Sequence, residues 1–153
     1  MTKQFREYLK DQVVVFDIDG VLASYEFSHF CHSADIWEEA FNSAEDNPYC
    51  TVGPLPTLQT FIAKMPKEHV YVCSVADDYE QEAKRAFVMR HYLIDASHIA
   101  FVEDKTKKLS FLEELARLFP DKAIALVDDT VKTLDQIHSE SNFVTVHITS
   151  FFD

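Results

Sequence analysis

Five short, nearly uninterrupted apolar runs constrain this chain more than any other feature: VVVF at 13–16, VYVCS at 70–74, IAFV at 99–102, AIALV at 123–127 and FVTVHI at 143–148. A strand with one wet face alternates apolar and polar residues, whereas a strand apolar at nearly every position must be covered on both faces. Helical apolar spacing marks residues 79–92 and 111–119, and more briefly 130–138. A further helix over 55–65 leads into the second run. Strands alternating with helices in this way predict an α/β fold, with a five-stranded parallel sheet between two helical layers.

With 153 residues, 47% of them hydrophobic, the chain can bury the core of a single domain spanning 1–153. The longest interruption, residues 24–54, is irregular and aromatic-rich with one helical candidate at 36–41, and is too small for a domain of its own. It predicts a short flap, or cap, inserted after the first strand. A formal net charge of -12 argues against a long nucleic acid or an anionic membrane as partner. It leaves room for a small phosphorylated substrate, provided a metal and a few cations gather locally. Three cysteines without a CxxC spacing fit a reducing compartment, and no segment has the apolar length of a signal peptide or a membrane span. The expectation is a cytoplasmic protein, monomeric or a small homo-oligomer.

Open parallel sheets bind ligands beyond the carboxyl ends of their strands. Polar residues cluster there. The stretch VVVFDIDGVLA ends its apolar run on Asp17 and Asp19, followed by Gly20, one of only two glycines in the chain. The stretch IALVDDT ends another run on Asp128 and Asp129. Two carboxylate pairs at one sheet edge repel each other unless a cation lies between them, and an all-oxygen donor set suits Mg²⁺. Gly20 lets the backbone turn sharply and approach a bound ion or anion. Ser74, at the end of VYVCS, offers a hydroxyl and an amide to a phosphoryl oxygen, or caps the next helix. A lysine completes the set. Lys108 lies one turn before Phe111, Leu112, Leu115 and Leu118 on the same helical face, so it continues a buried stripe and needs an anionic partner. Lys105, in the preceding loop, reaches the same edge as an alternative, and Lys107 points to solvent.

Other groupings are weaker. His29, Cys31 and His32, with Cys50 downstream, suggest zinc, but their spacing matches no common finger. Tyr25, Phe27, Phe30 and Trp37 either line a substrate pocket or pack the flap onto the core. Asp77, Asp78, Glu80 and Glu82 read as the acidic start of a helix.

The ordered pieces FDIDGVLA, HVYVCS, a lysine opening a helix, and ALVDDT resemble the haloacid dehalogenase superfamily of phosphohydrolases, over residues 13–130. The resemblance implies a Rossmann-like core with the first strand central, and a minimal cap. It implies Asp17 as nucleophile and Asp19 as general acid and base. It also implies Mg²⁺ held by Asp17, the backbone carbonyl of Asp19 and the late acidic pair, with Asp129 in the place of the direct ligand. Lys105 fits the lysine spacing of one branch and Lys108 that of another. The motifs are loosely similar to small nucleotidases and to the 3'-phosphatase domain of polynucleotide kinases. The function implied is hydrolysis of a phosphate monoester through an aspartyl-phosphate. The alternatives are a non-catalytic phosphate-binding or regulatory module on the same fold, and a phosphotransferase.

Overall fold

The computed structural model describes residues 1–24, 34–42 and 47–152. Each apolar run becomes a strand: β1 (Val13–Phe16), β4 (Val70–Val75), β5 (Ile99–Val102), β6 (Ile124–Asp128) and β7 (Val144–His147). All neighbours pair in parallel, in the order β5-β4-β1-β6-β7, so β1 is central. The architecture is the expected Rossmann-like three-layer α/β/α fold.

Alternation along β1 builds both halves of the core. Val14 and Phe16 point to one face, where they meet Leu58, Phe61 and Ile62 of α3 (Pro56–Ala63) and Phe87 and Val88 of α4 (Asp78–Tyr92). Val13 and Val15 point to the other. There they join Leu112 and Leu115 of α5 (Lys107–Leu118) and Leu134 and Ile137 of α6 (Val131–Glu140). All four β1 residues are fully buried. Burying aliphatic and aromatic side chains of this size contributes about 1.5–3 kcal/mol each, which explains why the run tolerates no polar residue before Asp17.

The insertion is closed at its base by a two-stranded antiparallel ribbon, β2 (Ala23–Ser24) against β3 (Gly53–Pro54). Between them lie α2 (Ala34–Asn42), covering the helical candidate at 36–41, and a 3-10 turn at Pro48–Cys50. His29, Cys31, His32, Tyr25, Phe27 and Phe30 lie outside the described residues. Three details depart from expectation. An N-terminal helix, α1 (Lys3–Lys10), is present, capped by the Thr2 side chain on Phe5 N–H at 3.2 Å. The helix after β4 takes Asp77, not Ser74, as its N-cap, because Glu80 reaches back to Asp77 N–H at 2.9 Å. Leu118, the last residue of α5, is 64% exposed and takes no part in the buried stripe.

Candidate active site

The central position of β1 puts the loop after it between the ends of β4 and β6, where the chain leaves the sheet in opposite directions. Asp17, whose N–H bonds Val127 O at 3.0 Å, is carried directly past the end of β1. Asp128 ends β6, and Asp129 follows it. One carboxylate oxygen from each of Asp17, Asp128 and Asp129 falls within 4.8 Å of the others.

Lys108 stands beneath this trio. It is 1% exposed, with Nζ 2.7 Å from Asp128 Oδ2 and 3.2 Å from Asp17 Oδ1. Asp128, fully buried, also accepts Thr130 N–H on Oδ1 at 2.8 Å. Its charge is thus compensated by a cation and a backbone donor, as a buried carboxylate requires. Burial works against the Lys108 ammonium, but the Asp17 and Asp128 carboxylates outweigh it and hold its pKa above the ordinary lysine value. Asp17 is less well served. Burial pushes its carboxyl up to about 6, Lys108 opposes the rise, and Asp128 and Asp19 add to it. Burial and the adjacent Asp128 carboxylate also raise Asp129. Asp17 and Asp128 share one buried lysine while the exposed Asp129 stands beside them, which leaves residual negative charge among oxygen donors only. A hard divalent cation suits that donor set, and Asp17 and Asp129 are the two whose carboxyls are held above the ordinary range despite their partners.

Above the trio opens a cavity of about 170 Å³. Asp17, Asp19, Asp129 and Lys108 line it together with Ser74, Lys105 and Thr130. Ser74 is 1% exposed, and its hydroxyl donates to Val75 O at 3.4 Å. Lys105 is exposed at the rim, where Nζ donates to Thr130 Oγ1 at 2.6 Å. The two lysines therefore occupy different places, one buried under the carboxylates and one at the mouth. Gly20 has φ +77 and packs against the Asp129 carboxylate. A larger groove, about 840 Å³, lies before β4 and β5 at the opposite end of the sheet, among Ile62, Met65, Tyr92 and Ile94.

The Asp19 side chain does not join the trio. Its Oδ2 receives Lys84 Nζ at 2.7 Å, and its Oδ1 receives the Tyr49 hydroxyl. Lys84, Tyr49 and Glu80 escaped the sequence reading, as did His147. Their signals were present. Lys84 occupies the same buried helical stripe as Phe87, Val88 and Tyr92, the pattern that singled out Lys108. Glu80 was read as part of an acidic helix start, yet it is buried and accepts the Trp37 indole N–H. His147 ends β7 beside Asp128 and donates from Nε2 to Asp129 O at 3.0 Å. That tautomer follows from the other nitrogen, Nδ1, which accepts Thr149 N–H at 3.2 Å.

No family model matches the chain, and no curated protein matches it. Among solved structures, DsGPDH of Dunaliella salina is similar in fold, with a TM-score of 0.56 at 16% identity. The match covers 95% of this chain but only 25% of that one, so the chain spans a quarter of the length of the structure it resembles. At that identity the likeness speaks to the fold alone. No helix among the described residues is long and apolar enough to cross a membrane.

Proposed function

We propose that this chain is a Mg²⁺-dependent phosphohydrolase of the haloacid dehalogenase type, acting on the phosphate monoester of a small metabolite or nucleotide. One observation above all supports the reading: Asp17, Asp128 and Asp129 converge within 4.8 Å at the base of a cavity that Asp17 and Asp129 line, over a buried Lys108. A structural acidic turn has no use for such an arrangement, because two buried carboxylates around one ammonium, with the exposed Asp129 carboxylate beside them, repel one another without a further cation.

Asp17, Asp129 and the backbone carbonyl of Asp19 would hold Mg²⁺. When bound, the ion neutralises a phosphoryl oxygen and lowers the repulsion between the phosphate dianion and a carboxylate nucleophile. The remaining work belongs to side chains. Lys108 and Ser74 bind the phosphoryl oxygens and fix their orientation. An Asp17 oxygen attacks phosphorus as the bond to the leaving oxygen breaks, and Asp19 donates a proton to that oxygen. Asp19 then accepts a proton from the water that attacks the aspartyl-phosphate, releasing inorganic phosphate and regenerating Asp17.

The test is phosphate release from p-nitrophenyl phosphate and from a panel of phosphorylated metabolites and mononucleotides, with Mg²⁺ or with EDTA. Release is expected only with Mg²⁺, and Asp17→Asn is expected to abolish it while leaving the circular dichroism spectrum unchanged. Release that ignores the chelator, or an Asp17→Asn variant near the wild-type rate, would overturn the proposal. Phosphate binding without turnover across the panel would replace it with a non-catalytic phosphate-binding module. Transfer to an added alcohol in preference to water would make the chain a phosphotransferase.

A further inference from the structure

A closed circuit of side chains runs from the carboxylate site out to the inserted flap. Lys84 Nζ, which donates to Asp19 Oδ2 at 2.7 Å, also donates to Val75 O at 2.9 Å and lies 3.5 Å from Glu80 Oε2. Glu80 takes the Asp77 N–H on Oε2 at 2.9 Å and the Trp37 indole N–H on Oε1. Trp37 belongs to α2, and its ring stands edge-on to Tyr49, with centroids 5.9 Å apart and planes at 82°. Tyr49, in the 3-10 turn, closes the loop by donating its hydroxyl to Asp19 Oδ1.

Burial gives this circuit its stiffness. Lys84 is 1% exposed and Glu80 8% exposed, so neither can exchange its partner for water at low cost. Three oxygens surround an ammonium that has three donors to place. Tyr49 is held by ring contacts to Trp37, Phe41 and Phe87. Both oxygens of Asp19 are therefore engaged by groups that cannot turn away. The side chain still keeps 40% of its surface exposed and lines the cavity, so it remains open to a substrate atom. A group that must transfer a proton has to be placed to within a fraction of an ångström, and a carboxylate on a loop gets no such placement from its own backbone.

We infer that Lys84 is the positioning residue for Asp19, and that the flap helix enforces this position through Trp37 and Glu80. The flap thereby regulates proton transfer at a site whose phosphate-binding groups come from the sheet. The inference rests on the proposed role of Asp19 as general acid and base. It distinguishes Lys84 from Lys108: one aims the proton donor, the other sits beneath the nucleophile.

Leaving-group dependence separates positioning from a merely structural role. A nitrophenolate departs without protonation, whereas an alkoxide needs a proton, and kcat/KM reports the steps through that departure. Lys84→Met is expected to lower kcat/KM for n-butyl phosphate on the order of 10²-fold, the usual contribution of a placed general acid, and to leave p-nitrophenyl phosphate nearly unaffected. Trp37→Phe, which removes the N–H but keeps a ring, and Glu80→Gln should show the same selectivity to a smaller degree. Equal losses on both substrates, or none, would overturn the inference.

A second readout needs no turnover. Trp37 is the single tryptophan of the chain, so its indole N–H gives one cross-peak in a ¹H–¹⁵N correlation spectrum. Lys84→Met and Asp19→Asn should each move that peak, although Glu80 stands between them and the indole. A peak that stays in place in both variants would refute the circuit. If the wild-type chain hydrolyses neither substrate, the proposed function fails and the cross-peak alone decides whether Lys84 links the flap to Asp19. Should Lys84→Met not fold, the substrate comparison in Glu80→Gln and Trp37→Phe and the cross-peak in Asp19→Asn answer the same questions.

Discussion

Gly20 and Asp129 meet with no width for a side chain between them: a Cβ built on Gly20 lies 2.3 Å from Asp129 Oδ2, on a backbone with φ +77. Gly20→Ala therefore meets two penalties, left-handed backbone strain and displacement of a carboxylate. The variant should lose roughly 1–2 kcal/mol of stability from the strain alone. It should also bind Mg²⁺ more weakly, because Asp129 is pushed off its place. Urea denaturation reads the first effect and isothermal titration with MgCl₂ the second. Undiminished Mg²⁺ affinity would speak against Asp129 as a ligand.

Removing either lysine discriminates between them. Lys108→Met leaves the fully buried Asp128 carboxyl without its cation, which should cost about 3–5 kcal/mol in EDTA. Lys105→Met removes an exposed contact to Thr130 and should change stability by less than about 0.5 kcal/mol. Chemical denaturation of the two variants side by side checks this order, and equal costs would contradict the separate places of the two lysines.

The Asp17 carboxyl makes stability depend on pH in a definite direction. Its pKa is raised to about 6 from 3.8, chiefly by burial, so between these values the folded chain holds a proton that the unfolded chain has lost. Stability without metal therefore falls as pH rises through that window, by on the order of 2–3 kcal/mol from this group, and the penalty vanishes below it. In EDTA, wild type minus Asp17→Asn should show this slope between pH 4 and 6. Added Mg²⁺ should stabilise wild type more at pH 7 than at pH 5, where a proton competes for the same oxygen. A difference curve that is flat across the window would show that Asp17 is not held in a charge-disfavouring place.

Tyr92 fastens the base of the flap. Its buried hydroxyl donates to Leu22 O at 2.6 Å and accepts Leu55 N–H at 2.9 Å, joining the two ends of the insertion to the end of α4. Burial pushes the phenol up to about 12, while the Leu55 N–H pulls the other way. Tyr92→Phe should cost about 1–3 kcal/mol, since both backbone groups lose their partner in a dry place. Native-state hydrogen exchange should show faster exchange at Leu55 N–H, and unchanged exchange there would refute the anchor.

The strands were legible because the inner ones obey one rule: β1 and β6 are dry on both faces, so VVVF and IALVD admit no polar residue before the edge, and the half-buried edge strands β5 and β7 keep enough of the pattern to follow. The acidic pairs stood out against that rule. Lys108 was legible for the same reason, as a charge continuing the stripe of Leu112 and Leu115. Lys84 follows the same logic, but Asp77, Asp78 and Glu82 around it disguised a buried face as a solvated one. In α1 the apolar stripe of Phe5 and Leu9 is sharp, but eight residues are barely two turns, too few for the spacing to repeat. The ribbon of β2 and β3, two residues per strand, is shorter than any alternation can reveal. Ser74 failed as a helix cap because the helix begins only at Asp78, where Asp77 and Glu80 form the capping box. It lines the cavity instead, with its hydroxyl on Val75 O.

The central place of β1 has a consequence for how the molecule comes into being. Asp17 leaves the ribosome more than a hundred residues ahead of Asp128 and Asp129, which β6 brings beside it. Until β6 docks, the nascent chain holds Asp17 without the two carboxylates that stand beside it in the folded protein. The acidic trio should therefore assemble all at once, as β6 pairs with β1 and the sheet closes, and with it the proposed activity.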